Sequence, residues 1–304
     1  MSLTRIQSRL ARKLDGAVLR NEPMSRHTTY RIGGPADLFI ECDTIHDLNY
    51  VLETLTEEHV AFHVLGKGSN LLVADDGYRG AVLVLGRDFK RHGIEDGHLR
   101  SGAGAILAAL VQDTFSKGMS GLAFAVGIPG TVGGALAMNA GSRDEWMGYA
   151  VESVTVLVVG EGLGALRGTE IDWGYRYSDL PARGVIVECA LRVEEGDANA
   201  IKRTMEASFA RRKATQPVGK ACAGSVFRNP AEDSAGRLIE ACGMKGLRYG
   251  AAVVSKVHAN FIVNDGGATA GEVMELIRQV RAIVKDEYGI ELETEIQFIG
   301  SFPT

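Results

Sequence analysis

No stretch of this chain approaches the roughly 20 consecutive apolar residues that a membrane-spanning helix needs, so no membrane partner is expected. The first residues include Arg5, Arg9, Arg12 and Lys13 but no apolar segment behind them, which argues against a secretory signal. Cysteine is scarce. Cys42, Cys189, Cys222 and Cys242 show no C-x-x-C spacing, and they read as free thiols in a reducing compartment rather than as a disulfide framework. The cytoplasm is the default location. A net charge of −5 gives no support to nucleic-acid binding. The histidines form no H-E-x-x-H and no cluster with the cysteines, so no catalytic metal is expected. Neither an internal repeat nor a low-complexity segment occurs. The 304 residues suffice for about two domains with cores of their own.

The common nucleotide motifs are also missing. No G-x-x-x-x-G-K-[ST] occurs, which argues against a P-loop. Gly66 and Gly68 are followed by Leu71, and Gly102 and Gly104 by Leu107, where a dinucleotide fingerprint requires glycine. A Rossmann domain is therefore not expected. What the chain does contain is glycine in two runs, LGKGSNLL at 65–72 and GLAFAVGIPGTVGGALAMNAG at 121–141. Glycine lets backbone N–H groups approach a bulky anion. The Pro129-Gly130-Thr131 turn opens a short helix, whose N-terminus would present unpaired donors. Two such turns suit a dinucleotide diphosphate gripped from both sides, with Ser69, Asn70 and Asn139 as further polar groups. Close packing is the competing reading for either run alone, since Gly133-Gly134 in a helix can simply admit another backbone.

Periodicity outlines the rest. Ile6, Leu10 and Leu14 recur at helical spacing. Thr44 to Asp47 resembles a capping box before a helix bearing Leu48, Val51, Leu52 and Leu55, and Thr269 to Glu272 another, before a helix over Ala270–Tyr288. Ala105–Lys117 reads as a helix stopped by Gly118, and Ser234–Cys242 as one closed by Gly243. Strands are expected at Asp37–Cys42, Ala61–Leu65, Ala81–Leu85, Ser153–Val159, Val185–Val193, Ala251–Val254 and Asn260–Val263. A last strand is expected over Ile290–Phe298, with Glu291, Glu293 and Glu295 on its polar face. The first two-thirds reads as mixed α+β in two lobes around a cofactor. Composition shifts near Gly196, and a polar helix from Asp197 to Lys213 leads into a smaller unit.

Three polar residues stand out by context. Arg176, between Tyr175 and Tyr177, suits a partly desolvated guanidinium that grips a carboxylate in a two-point fork, or an arginine stacked on tyrosines in a surface loop. Ser225, in Ala223-Gly224-Ser225-Val226, lies on a tight turn; G-x-S-x-G is absent, so it is not a hydrolase nucleophile. Glu295 shares its face with residues that would ordinarily meet only water. His258, in a polar loop, could touch a phosphate or substrate, or serve as a plain hydrogen-bonding residue.

Several segments, in this order, resemble the UDP-N-acetylenolpyruvoylglucosamine reductase family of flavoenzymes: HTTYRIGGPAD from His27, LGKGSNLLV, VGIPGTVGGALAMNAG, GYRYS, AGSVFRNP, HANFIVN and LETEIQFIG. The resemblance runs from about Arg20 to Ser301. It implies an α+β fold in which a two-lobed FAD-binding domain of the vanillyl-alcohol oxidase and p-cresol methylhydroxylase type precedes a small α+β substrate domain. On this chain the division would be an N-terminal helix over 1–19, an FAD domain over 20–196 with lobes near 20–82 and 83–196, and a substrate domain over 197–304. The implied reaction is NADPH-dependent reduction of a UDP-sugar enolpyruvyl ether in peptidoglycan precursor synthesis, by hydride transfer through FAD and protonation by a serine. The family's arginine falls on Arg176, its serine proton donor on Ser225 and its glutamate on Glu295. Cofactor contacts fall on Tyr30, Gly66, Lys67, Gly68, Ser69, Asn70, Leu71, Gly127, Ile128, Pro129, Gly130, Thr131, Gly133, Gly134, Asn139, Ala140 and Gly141. Lys213, Arg228, Asn229 and His258, with Lys220, are candidates for the substrate. GKGSN holds no histidine to tether a flavin, so the FAD is expected to be non-covalent. The short Tyr175–Val187 segment, without an inserted tyrosine loop, matches the shorter subgroup of the family.

Overall fold

Both capping boxes form as reciprocal hydrogen bonds in the computed structural model of the protein, which describes residues 2–95, 98–141 and 145–302. Thr44 Oγ1 accepts from Asp47 N at 3.1 Å while Asp47 Oδ2 accepts from Thr44 N at 3.0 Å. The helix Ile45–Glu57 that follows buries Leu48, Val51, Leu52 and Leu55. Thr269 and Glu272 make the same pair of bonds, at 3.1 and 3.2 Å, and open the helix Ala270–Tyr288, which Gly289 ends at φ +69°. Asp75 completes that start by accepting from Ala270 N at 2.7 Å and Gly271 N at 2.9 Å. The first-turn donors of the longest helix are thus matched to carboxylate and hydroxyl oxygens, as its positive end favours.

The chain divides into two units, each built from discontinuous segments. Met1–Arg20, Leu38–Gly66 and Gly80–Arg211 make the first; Asn21–Asp37, Lys67–Arg79 and Arg212–Thr304 make the second. This differs from the linear division expected near residue 196, and burial gives the reason. Helix Ala198–Thr215 buries only Ile201, which joins the first core, whereas Tyr30, Ile32 and Leu72 join the second. Nor is the N-terminal helix, Leu3–Ala11, a separate element: Ile6, Leu10 and Leu14 pack in the first core.

The first unit carries a five-stranded antiparallel sheet in the order Gly162–Arg167, Val151–Val158, Val185–Arg192, His98–Gly102, His92–Glu95. The two β-branched runs expected as strands lie side by side at its centre. A four-stranded sheet runs in the order Val18–Pro23, Pro35–Cys42, Tyr78–Leu85, Phe62–Leu65, with the last two parallel; three of these strands contain the junctions between units. Helix Leu107–Ser116 ends as expected at Gly118, φ +72°.

In the second unit, Arg248–Tyr249, Ala252–Val254 and Ile262–Asn264 form an antiparallel sheet. Val273, Leu276, Ile277, Val280 and Val284 of the long helix share its core with Leu238 and Ile239 of helix Ala235–Ala241. The strand expected over Ile290–Phe298 is corrected to Gln297–Ile299, parallel to Leu71–Val73. Before it, residues 293–295 pair with 226–228 through an isolated bridge, Phe227 to Thr294. The segment changes partner midway, so no single ladder holds it and its apolar residues do not all face one way. Leu292 and Ile296 are buried while Thr294 is not. Among the described residues no helix is long and apolar enough to cross a membrane.

Leu276 is 0% exposed, and Leu276→Ala should cost about 2–5 kcal/mol. Thr269→Ala should cost about 1 kcal/mol by loss of the cap. Denaturant unfolding midpoints of the two variants will check the ranking.

Candidate active site

Gly127 and Gly130 adopt φ +71° and +133°, conformations that glycine enters without a Cβ penalty. The turn leads into the helix Val132–Ala137 capped by Thr131, whose Oγ1 accepts from Gly134 N at 3.3 Å. The expectation of open donors at this helix start is not met. Val132 N donates to Ala105 O at 2.9 Å and Gly133 N to Ala103 O at 2.8 Å. Gly133 serves the packing role: a Cβ there would lie 2.9 Å from Ala103 Cβ. Gly66 likewise admits Thr131, since its Cβ would lie 2.5 Å from Thr131 Oγ1. The start of the first glycine run and the cap of the second therefore touch.

Ile128 and Ala140 are held by backbone bonds, to Ala125 O at 3.1 Å and Ala135 O at 2.8 Å. Asn139, φ +43° and 2% exposed, spends both ends of its carboxamide inside the protein. Its Nδ2 donates to Gly174 O and its Oδ1 accepts from Gly148 N, each at 2.9 Å. Its side chain thereby supports the next element.

The supported element is a hairpin pairing Trp173–Gly174 with Tyr177–Ser178. Ser178 Oγ donates to Leu136 O at 2.9 Å, and Arg176 Nη1 to Gly141 O at 3.2 Å. Arg176, at the turn, has φ +55°, a strained state for a residue with a side chain. Its guanidinium lies 5.2 Å from the Tyr175 ring centroid, so stacking and a fixed donor direction coexist. The glycine run and the arginine turn are one hydrogen-bonded assembly in the first unit.

The second unit holds the remaining candidates. Gly68, φ +59°, brings the first glycine run against His27 and Thr28, where a Cβ would lie 2.5 Å from His27 O. Its carbonyl accepts from Thr29 N at 3.1 Å. Lys67 and Ser69 flank it, and Leu71 starts the strand Leu71–Val73. Asn70 Nδ2 donates to Glu295 O at 3.2 Å, and Asn70 O accepts from Gln297 N at 3.0 Å. On its other edge, Glu295 N donates to Val226 O at 2.7 Å and Arg228 N to Glu293 O at 2.8 Å. Ser225, half-buried after the Gly224 turn at φ +78°, therefore sits on the segment paired with that of Glu295.

His258 supports its own loop through Nδ1. Its Nδ1 accepts from Asn260 N at 3.2 Å, and its ring meets Phe261 edge-on at 5.0 Å and covers Gly236, where a Cβ would lie 2.8 Å away. Asn229 Oδ1 accepts from Ala235 N at 3.1 Å at a helix start. Lys213 and Lys220 are exposed, and Arg228 is half-buried. Sequence reasoning passed over Asn260, 3% exposed, which bonds both main-chain groups of Phe227. The available signal was an amide inside an apolar run, because a buried carboxamide needs partners for both its ends.

Two observations bear on whether this chain suits a flavin dinucleotide. The amides of Gly130 and Thr131 in the first unit, and of Gly68 and Asn70 in the second, donate no hydrogen bond among the described residues; these are donors suited to diphosphate oxygens. Tyr30 is 0% exposed, yet its hydroxyl has no partner there, an orphan that a polar ligand atom would satisfy. The donor set fits the group.

Comparison with known proteins agrees. Residues 36–167 match the family described as FAD binding domain, and 216–299 that described as UDP-N-acetylenolpyruvoylglucosamine reductase, C-terminal domain. The chain is 45% identical over 300 residues to the UDP-N-acetylenolpyruvoylglucosamine reductase of Moorella thermoacetica, covering 99% of each. To that of Bacillus subtilis it is 39% identical over 287 residues, 94% of this chain and 95% of the relative. The crystal structure of UDP-N-acetylenolpyruvylglucosamine reductase (MurB) from Thermus caldophilus superposes with a TM-score of 0.83 at 38% identity, over 94% of this chain and 100% of that one.

Burial lowers the His63 and His258 pKa values from 6.5, with Lys245 adding to the effect at His258. The folded state then binds fewer protons than the unfolded chain, so stability is intact above pH 6.5 and falls as acid titrates through the folded values. Replacing both with glutamine should flatten the loss of unfolding free energy between about pH 6.5 and pH 5, the span in which unfolded histidine gains its proton.

Proposed function

This chain belongs to the UDP-N-acetylenolpyruvoylglucosamine reductase family, and from that membership we propose that it is an FAD-dependent oxidoreductase using NADPH to reduce the enolpyruvyl ether of UDP-N-acetylglucosamine to UDP-N-acetylmuramate, a step in peptidoglycan precursor synthesis. FAD, when bound, supplies the two-electron chemistry that links NADPH to the substrate double bond. The Tyr30 hydroxyl and the amides of Gly68 and Asn70 in the second unit, and those of Gly130 and Thr131 in the first, would hold it. No covalent tether is needed, because GKGSN offers no histidine. Four free cysteines suit the cytoplasm as the working compartment.

The substrate's double bond is conjugated to a carboxylate. Reduction at its terminal methylene carbon puts negative charge on the neighbouring carbon and, by resonance, on the carboxylate oxygens. Arg176 is assigned to that charge. Its turn is tied to Leu136 by the bond from Ser178, to Asn139 by the bond to Gly174, and to Gly141 by the bond from Arg176 itself, so the guanidinium needs little reorganisation as charge develops. Ser225 is assigned the proton: its O–H bond breaks, a C–H bond forms at the carbanionic carbon, and solvent restores the hydroxyl. Glu295 and an oxygen gaining negative charge repel unless a proton lies between them, so Glu295 is assigned a shared proton. The observation that carries this reading is the 2.7 Å bond from Glu295 N to Val226 O, which holds the serine and glutamate segments side by side. Lys213, Lys220 and Arg228 are assigned to substrate phosphates by charge.

The purified protein should be yellow, with a flavin band at about 450 nm that bleaches on NADPH addition; a colourless, folded preparation that refuses added FAD would end the reading. Ser225→Ala should leave NADPH-driven bleaching nearly intact and stall recolouring by the enol ether, as read by stopped-flow absorbance. Arg176→Ala should slow the recolouring about 100- to 1,000-fold. Loss of FAD as its main effect would move Arg176 from substrate to cofactor.

A further inference from the structure

Asn260, 3% exposed, has both ends of its carboxamide engaged beside Ser225. Its Oδ1 accepts from Phe227 N at 2.9 Å and its Nδ2 donates to Phe227 O at 2.8 Å. Its backbone carbonyl accepts from Val226 N at 2.8 Å. Both residues after Ser225 are therefore pinned by one asparagine, while Val226 O takes Glu295 N on the opposite edge. Asn260 is itself held. His258 Nδ1 accepts from its amide, Ser255 Oγ accepts from Val257 N at 3.1 Å and His258 N at 3.3 Å, and Ser255 N donates to Phe261 O at 2.7 Å. On the other side of Ser225 stands Gly224, in a left-handed conformation, where the backbone is most easily turned. A serine between a glycine pivot and a clamped residue keeps its direction only as long as the clamp holds.

We propose that Asn260 is a positioning residue for protonation, fixing the main chain after Ser225 so that the serine hydroxyl keeps its place relative to Glu295. This rests on the assignment of Ser225 as proton donor. A carboxamide suits the role, since its acceptor and donor match the one donor and one acceptor of Phe227. A carboxylate of the same shape would set an acceptor against the Phe227 carbonyl. A displacement of about 1 Å at a reacting group can cost about 100-fold in rate.

The test uses the FAD-loaded enzyme with Asn260→Asp and Asn260→Ser, each alone and combined with Ser225→Ala. Reduction by NADPH and recolouring by the enol ether are followed separately, in H2O and D2O. In at least one single variant, NADPH reduction should stay within about twofold. Its recolouring should slow about 10- to 100-fold, with a larger solvent isotope effect and a fall in kcat rather than a rise in KM. In the Ser225→Ala background the same substitution should add almost nothing, because residues acting through one another are not additive. Unchanged recolouring, parallel slowing of both half-reactions, additive losses, or loss of FAD in both variants would each overturn the proposal. Normal recolouring by Ser225→Ala alone would instead overturn the parent assignment of the proton donor.

Discussion

A carboxamide is an uncharged side chain that both donates and accepts across a short rigid plane, and the loops bearing the candidate groups rely on it. Irregular backbone has peptide groups that no ladder satisfies, and burying them unpaired is costly. Asn139 resolves this for the Arg176 hairpin, and Asn260 for the Ser225 segment. Asn264 does so for Tyr30 and the loop before the long helix, donating to Tyr30 O and accepting from Gly266 N and Ala268 N, each at 3.0 Å. These contacts are neutral. They hold position without adding a fixed charge beside groups that must handle a developing one.

Glycine does complementary work, and less of it concerns anions than its density suggests. Gly66 and Gly133 admit Thr131 and Ala103, and Gly68 admits His27. The helix start at Val132, which looks like a ready anion site, has its first donors engaged by Ala103 and Ala105. The donors left for a diphosphate are those of the turns themselves. A glycine-rich run thus packs by its missing side chains and binds by its unengaged amides, and only the hydrogen-bond partners tell which residue does which.

Local structure was largely legible in the chain. The Thr44 and Thr269 boxes, the stops at Gly118 and Gly243, and the β-branched centre of the five-stranded sheet depend on interactions within a few residues. They were read correctly because sequence spacing is spatial spacing inside a helix turn or along a strand. Ile290–Phe298 misled because apolar alternation reports a face only while one partner holds the segment, and this one exchanges the isolated bridge to 226–228 for the strand Leu71–Val73. The compact units do not follow a linear boundary for a related reason: composition shifts along the chain, whereas a core collects residues such as Tyr30 and Leu72 from wherever they return.

By itself the sequence determined the helices and their caps, the family, and the identity of Arg176, Ser225 and Glu295 as candidates, because motif order and short-range chemistry survive in one dimension. Tertiary structure alone decided that Asn139 and Asn260 are supports, that His258 braces a loop, and that Ser225 lies on a segment paired with that of Glu295. Apart from the local His258–Asn260 bond, those roles rest on hydrogen bonds between residues tens of positions apart. A side chain's donor and acceptor are assigned by whatever the fold brings within about 3 Å, and no local pattern encodes that distance.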